Sequence, residues 1–165
     1  MAGIGGTTTK CVAELLKSTK GLTSSVHQAA LSARVHLEEI EPEQVFAQNV
    51  AYEVAERSGG AKYPALHVYC ERVANEMREK FRTFSGRVRM VVEIRVSQDR
   101  LEGLESQLHG YADAVTRVLD GNRGDWGGGM YYAGGYEINF GAVKKGGKNH
   151  IQTAKVEFDV EGSVK

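Results

Sequence analysis

The segment of this 165-residue chain that most resembles a catalytic signature is "GAVKKGGKNH", residues 141–150. A phosphate-binding loop of nucleotide hydrolases reads G-x-x-x-x-G-K-[ST] and opens a helix, whose N-terminal amides bind the anion. Gly141 and Gly146 match its glycines, but Gly147 occupies the lysine position and the lysine is displaced by one residue, to Lys148. Asn149 follows that lysine, where a hydroxyl must hold magnesium. Because strand periodicity follows, the segment predicts a hairpin turn and not nucleotide hydrolysis.

Side chains able to bind metals or to act as nucleophiles show no productive spacing. The histidines form no H-x-x-x-H or H-E-x-x-H pair, and Cys11 and Cys70 form no C-x-x-C motif. No G-x-S-x-G elbow marks a nucleophilic serine. The sequence therefore predicts no catalytic residue, no cofactor and no metal site, and it favours two reduced thiols. The histidines are His27, His36, His67, His109 and His150.

Three arginines, Arg87, Arg89 and Arg95, share one face of an alternating segment, "RVRMVVEIRVS". Such a row could contact RNA phosphates, as the sheets of RNA-recognition domains do. However, Glu93 interrupts the row, and the face lacks the paired aromatic residues that stack on bases. Arginine is also favoured in ion pairs across subunit boundaries. We therefore expect a subunit interface here, with RNA binding as the alternative.

Two glycine-rich loops supply the other candidate contact residues. Trp126 in "GDWGGGMYY" could stack on a base or a sugar. The preferred interpretation is a connection from helix to strand whose indole covers the sheet edge or a neighbouring subunit. In the hairpin segment, Lys144, Lys145 and Lys148 are expected to keep the tip solvated and to form an assembly contact, or to project into a channel.

These residues must be positioned by a scaffold. Residues 61–165 predict a scaffold that consists of four strands and one helix. Strict period-two alternation places Val88, Met90, Val92, Ile94 and Val96 on one buried face, with the opposite face in water. "PALHVYC" predicts an earlier strand whose continuation, "ERVANEMREKF", favours a helix or an irregular arm. "GMYYAGGYEINF" and "IQTAKVEFDV" predict the last two strands, joined as an antiparallel hairpin.

A long amphipathic helix is expected between the second and third of these strands. Asp99 and Glu102 form a capping-box pair, and Gly121 supplies the stop. Packing this helix on a mainly antiparallel four-stranded sheet buries both apolar surfaces in a two-layer α+β fold. The apolar stripe of the helix consists of Leu101, Leu104, Leu108, Tyr111, Val115, Val118 and Leu119.

The first 60 residues predict a helical region that belongs to the same single domain, residues 1–165. Two segments have helical spacing, one ending before Gly21 and the other running from Leu22 to Ala33. An acidic loop follows, with Pro42 placed to start or to break a helix. "VFAQNVAYEVAER" fits a helix or a strand, and we favour the helix.

Composition restricts the function further. Lysine plus arginine equals aspartate plus glutamate at 21 each, whereas dedicated nucleic-acid binders usually carry a basic excess. The first ten residues lack a signal-peptide core, and no apolar run approaches the roughly 20 residues that span a bilayer. We therefore expect an intracellular protein without a membrane partner.

The strand-strand-helix-strand-strand order from "KYPALHVYCERV" to "KNHIQTAKVEFDV" resembles the tail terminator (tail completion) proteins of long-tailed bacteriophages. The resemblance covers about residues 60–161 and also includes "FSGRVRMVVEIRVSQDRLEGLE", "LHGYADAVTRVLD" and "GGYEINFGAVKKGG". It implies an antiparallel sheet backed by a helix, in a protein that performs no chemistry.

The resemblance also implies partners and a location. Members of that family form rings, commonly hexameric, that cap the tail tube and then join it to the head. The implied partners are other copies of the chain, the tail tube protein and the head–tail connector or neck proteins, with DNA only passing through the channel. The implied location is the virion, after assembly in the host cytoplasm. The alternatives are another neck subunit, such as a head-completion protein, or a small RNA- or ligand-binding α+β module.

Overall fold

The computed structural model describes residues 3–18, 20–57 and 62–165, in which four α-helices accompany one eight-stranded sheet. This confirms the α+β class, but the expected four strands and single backing helix are too few. The helices are α1 (Ile4–Lys17), α2 (Leu22–Ala33), α3 (Tyr52–Arg57) and α4 (Leu104–Asp120). The strands are β1 (Val45–Phe46), β2 (Ala65–Asn75), β3 (Phe84–Gln98), β4 (Gly124–Gly127), β5 (Met130–Tyr132), β6 (Glu137–Phe140), β7 (Lys144–Gly146) and β8 (Asn149–Val164).

The centre of the sheet is the long antiparallel pair of β3 and β8, which stay in register from Phe84↔Val164 to Gln98↔His150. Both strands follow the predicted alternation on the core side. Val88, Met90, Val92 and Ile94 of β3 are fully buried. They lie opposite the alternating apolar residues of β8, so that two strands distant in sequence form one continuous apolar surface.

The free edge of β8 is occupied by three short strands in succession. On β8, β5 pairs with Glu161 and Gly162, and β6 pairs with residues 154–157. β7 pairs with residues 149–151, at the start of β8. The predicted strand "GMYYAGGYEINF" is thus divided into β5 and β6, because Gly134 and Gly135 adopt positive φ angles of 102° and 90°. β4 then pairs outside β5, and β1 pairs in parallel with β2 at the opposite side of the sheet.

β2 is longer than expected, and the helix considered after Cys70 is wrong. β2 continues to Asn75 across an irregularity between Cys70 and Arg72, because each following residue finds a partner on β3. Gly86 permits the close approach, since a Cβ there would lie 1.9 Å from the Ala74 carbonyl oxygen. The loop that follows contains Phe81, the last residue of "ERVANEMREKF".

α4 packs its apolar stripe against the sheet, as predicted. Every residue of the stripe is buried except Leu101, which is 59% exposed. The helix starts at Leu104 after Gly103, whose φ of 80° ends the preceding turn, so Asp99 and Glu102 lie outside it and no side chain caps its first turn. The start was therefore predicted too early, whereas the stop at Gly121 is confirmed.

α1 and α2 confirm the two helical segments of the N-terminal region. α2 packs on α4, and α1 lies against β2, where Gly5 lets the helix approach Cys70 and Val73. Pro42 begins a single 3₁₀ turn, and the ambiguous segment after it starts as the short strand β1 and continues into α3. The preference for a helix there was wrong for Val45 and Phe46, because the edge of β2 offers them backbone partners.

Candidate assembly surface

The face of the sheet opposite to the one covered by α1 and α4 carries cross-strand rows of charged side chains, and we call it the charged face. It is formed by alternate residues of β2, β3, β6 and β8. Arg87 and Arg89 of β3 lie on it, directly opposite Glu161 and Asp159 of β8. The alternation of β3 thus places these two arginines where the sequence predicted.

Both arginines have acidic partners within the same chain. Arg89 is surrounded by Glu137, Glu157 and Asp159, with N–O distances of 3.6, 3.4 and 3.5 Å. Arg87 Nε donates a hydrogen bond to Oε1 of Glu76 at 3.0 Å, and Arg87 Nη2 lies 2.8 Å from the same oxygen. Hydrogen bonding to Arg87 lowers the pKa of the Glu76 carboxyl. A face neutralised in this way retains little positive potential for nucleic acid.

Arg95 departs from the expectation of a solvent-exposed face, because its side chain is only 3% exposed. The segment around Val50 covers this end of β3, and the Val50 carbonyl oxygen accepts a hydrogen bond from Arg95 Nη2. Arg95 Nε donates to the Glu93 carboxylate at 2.7 Å. Glu93, which seemed only to interrupt the arginine row, is the internal counter-ion of Arg95.

His67 is a buried titratable group that the sequence did not single out. It lies opposite Glu93 on the neighbouring strand β2, is 3% exposed, and stacks on Phe46 with ring centroids 5.1 Å apart. Burial, together with the nearby charge of Arg95, lowers the pKa of His67 to about 4. The imidazole is therefore neutral in the folded protein at physiological pH.

Trp126 lies on β4, within the connection from α4 to the sheet, and the connection itself is confirmed. Its indole nitrogen donates to the Asn122 carbonyl oxygen at 2.6 Å, and its ring lies 5.4 Å from that of Tyr132. The half-buried indole thus closes the end of the protein's own core. Contact of its exposed part with a neighbouring subunit stays a prediction.

"GAVKKGGKNH" forms the hairpin predicted from its glycines. Gly146 pairs with Asn149 across a turn of two residues, and Gly147 has a φ of 63°. This places the glycine at the first turn position, as a type II′ turn requires. Lys144, Lys145 and Lys148 are exposed, as expected, and the Lys144 ammonium lies 5.9 Å from the Tyr52 ring centroid. Their role in assembly stays a prediction.

The most exposed large apolar side chain belongs to the loop between β2 and β3, which we call the tip loop (residues 76–83). Phe81 is 98% exposed and has a φ of 63°, a conformation unfavourable for a bulky residue. Met77, in the same loop, is 58% exposed and also has a positive φ, of 49°. The sequence favoured a helix or an irregular arm for "ERVANEMREKF", and the structure places Met77 and Phe81 in an irregular loop.

An apolar groove lies close to the base of the tip loop, and we call it the terminal groove. It has a volume of about 190 Å³ and lies between the start of α1 and the ends of β3 and β8. Its apolar lining is formed by Ile4, Phe84, Met130 and Val164.

Comparison with protein-family models, with curated proteins and with solved structures yields no match for this chain. Over residues 3–18, 20–57 and 62–165, no three His, Cys, Asp or Glu side chains converge in a way that could hold a metal ion. None of the helices in those ranges combines the length and the hydropathy needed to cross a bilayer.

Proposed function

We propose that the protein is a structural subunit that assembles into a closed ring, caps a phage tail tube and provides the surface that joins the tube to the head. Two independent features support this function. The first is the resemblance of residues 60–161 to tail terminator proteins. The second is Phe81, an apolar side chain that stands almost fully in water on a strained backbone.

The exposure of Phe81 on a strained backbone is the observation that supports an assembly role most strongly. Exposing a phenyl ring loses the roughly 2 kcal/mol that its burial contributes, and holding a bulky residue at positive φ costs on the order of 1 kcal/mol more. At this exposure, Phe81 has almost no contact with the residues that the structure describes, so neither cost is offset by packing among them. Contact of the tip loop with another chain would compensate both, by burying the ring and by fixing the loop.

The terminal groove offers a matching surface on a second copy. Its volume of about 190 Å³ suits one aromatic side chain, and its lining is apolar. Insertion of Phe81 from one copy into the groove of the next would be a head-to-tail contact. Such contacts generate a ring when their rotation closes and an open filament when it does not. A formal net charge of zero also leaves no strong repulsion between copies.

Light scattering coupled to size exclusion and negative-stain imaging test the proposal together. A ring with a central hole, formed by the protein alone or beside tail-tube protein, is the expected result. A protein that stays monomeric at high concentration and beside tail-tube protein would contradict it. A ring that binds head–tail connector protein but ignores tail-tube protein would instead support a different neck subunit.

RNA binding through the charged face is the weaker alternative. Arg87 and Arg89 already contact carboxylates, so that binding a phosphate would require replacing existing ion pairs. Salt-dependent binding of an oligonucleotide that is lost in Arg89→Ala, but kept in the matched variant Arg117→Ala on α4, would favour that alternative.

A further inference from the structure

A second feature of the molecule points to a small ligand and is independent of ring formation. At the end of the charged face, a cleft of about 350 Å³ lies between the sheet, the segment before α3 and β7. We call it the Arg95 cleft. Its polar lining includes Arg95, Lys144, Lys155, Tyr69, Thr153 and Glu93.

Arg95 has a donor that no group in the described ranges satisfies. Its Nε and Nη2 are hydrogen-bonded to Glu93 and Val50, whereas Nη1 is buried and has no partner among residues 3–18, 20–57 and 62–165. A buried donor left unpaired destabilises the folded protein, and more so when it belongs to a charged group. An acceptor bound in the cleft would remove that cost.

The charges around the cleft favour an anionic acceptor. Arg95, Lys144 and Lys155 contribute three positive charges. Against them stand Glu93, which is already bound to Arg95, and Glu53, which is exposed to solvent. Lys155 lies directly opposite Glu93 on the adjacent strand, and Thr153 lies opposite Arg95, so the sheet register itself gathers these donors.

The neutral groups of the cleft are also donors. Burial raises the pKa of Tyr69 to about 12, so its phenol keeps its proton at physiological pH. The Thr153 hydroxyl offers a further donor. An arginine flanked by lysines and hydroxyls supplies the charge-assisted donors that bind tetrahedral oxyanions.

We infer that the Arg95 cleft binds a small phosphate-type oxyanion, with Nη1 of Arg95 as its central donor and Lys144 and Lys155 as flanking charges. The anion would satisfy the unpaired donor and offset the local excess of positive charge. It would also join β7 to β3 and to the segment before α3. Phosphate should therefore stabilise the folded protein.

The first test is calorimetric titration of the intact protein with inorganic phosphate, with sodium chloride at matched ionic strength as the reference. The Tm of the protein, measured in increasing phosphate concentration, gives a second measure of binding. A ligand that binds only the folded state raises Tm. We expect saturable binding and a rise in Tm with phosphate that chloride does not produce. Equal Tm in both salts together with no heat of binding would overturn the inference.

Matched variants locate the site. Lys144→Ala should weaken phosphate binding about three- to tenfold, as expected for one partly exposed charge contact, whereas Lys145→Ala on the same strand should not change it. Arg95→Lys keeps a positive charge beside Glu93 but lacks Nη1, and it should lose phosphate binding. If Arg95→Lys does not fold, the comparison of Lys144→Ala with Lys145→Ala tests the site instead. Equal phosphate affinities in these two variants would overturn the inference.

A short oligothymidylate distinguishes the source of the oxyanion. Failure to displace phosphate is the expected result for a site that takes a small molecule. Displacement at comparable phosphate concentration would assign the cleft to a nucleic-acid backbone and would overturn the inference. Ring formation is measured separately by sizing, so failure of one proposal does not decide the other.

Discussion

Glu93 and Arg95 form an ion pair inside the protein, two positions apart on β3, with Arg95 Nε 2.7 Å from the Glu93 carboxylate oxygen. Side chains two positions apart share one face of a strand, so the pair is built into the local alternation of β3. Its burial, with Arg95 3% and Glu93 13% exposed, comes from the segment around Val50. Local spacing thus supplies the pair, and a distant part of the chain excludes water from it.

Removing one charge of this pair should destabilise the fold. Glu93→Gln leaves the buried Arg95 charge without its counter-ion, and we expect the free energy of unfolding to fall by about 3 kcal/mol in urea titrations. The matched control is Asp113→Asn, which breaks the more exposed pair with Arg117 on α4 and should cost less than about 0.5 kcal/mol. Similar small losses in both variants would contradict the burial of Arg95.

His67 should make the protein sensitive to mild acid. Its folded pKa of about 4 lies below the value of roughly 6.5 expected in the unfolded chain, so between these two pH values only the unfolded chain takes up the proton. Stability should therefore fall as pH decreases from 6.5 to 4, by up to about 1.4 kcal/mol per pH unit for this residue.

The comparison of His67→Phe with wild type measures this contribution. The variant can keep the stacking on Phe46 but has no proton to bind, so its free energy of unfolding should depend less on pH within that window. His36→Phe, at an exposed position, should retain the wild-type dependence. Identical pH profiles for His67→Phe and wild type would show that His67 is not held neutral by the fold.

Phe81 should matter for assembly and not for folding. Phe81→Asn relieves the strain at positive φ, where asparagine is better tolerated, so the monomer should unfold at the same free energy or up to about 1 kcal/mol higher. Self-association, measured by light scattering, should weaken about tenfold or more, as for an aromatic residue central to an interface. Leu31→Asn, at another exposed apolar position, is the control. Unchanged association in Phe81→Asn would remove the tip loop from the interface.

The hairpin tip should tolerate the loss of its charge but not the loss of its glycine. Replacing Lys144, Lys145 and Lys148 with alanine should change the free energy of unfolding by less than about 1 kcal/mol, because all three are exposed. Gly147→Ala should cost about 1 kcal/mol, because the turn holds this residue at a φ of 63°. Thermal unfolding followed by circular dichroism measures both. A collapse of the fold in the triple variant would contradict the position of the hairpin.

Several elements could be predicted from the sequence because local periodicity alone specifies them. The alternation in β3 and β8 and the stripe of α4 each bury one face, and in each case the apolar repeat matches the geometry of the element. A hairpin turn within "GAVKKGGKNH" was predicted for the same local reason, since glycines allow the positive φ that such a turn needs. Such features depend on neighbours a few residues away.

The remaining features depend on partners far along the chain. β1, β4 and β7 contain too few residues for a periodic signal, and they exist because the edges of β2, β5 and β8, respectively, offer them hydrogen bonds. The C-terminal half of β2 contains helix-forming residues, yet pairing with β3 prevails. Tertiary context thus overrides weak local preference.

The candidate surfaces also have some features that local sequence specifies and others that depend on distant parts of the chain. The sequence by itself determined that Arg87, Arg89 and Arg95 share a strand face, and that the lysines of "GAVKKGGKNH" belong to a hairpin. Only the tertiary structure decided that carboxylates of β8 and the tip loop neutralise Arg87 and Arg89, that Arg95 is buried in a cleft, and that Phe81 stands in water. The physical reason is that alternation specifies which way a side chain points, whereas strand register and the covering segments specify what it meets.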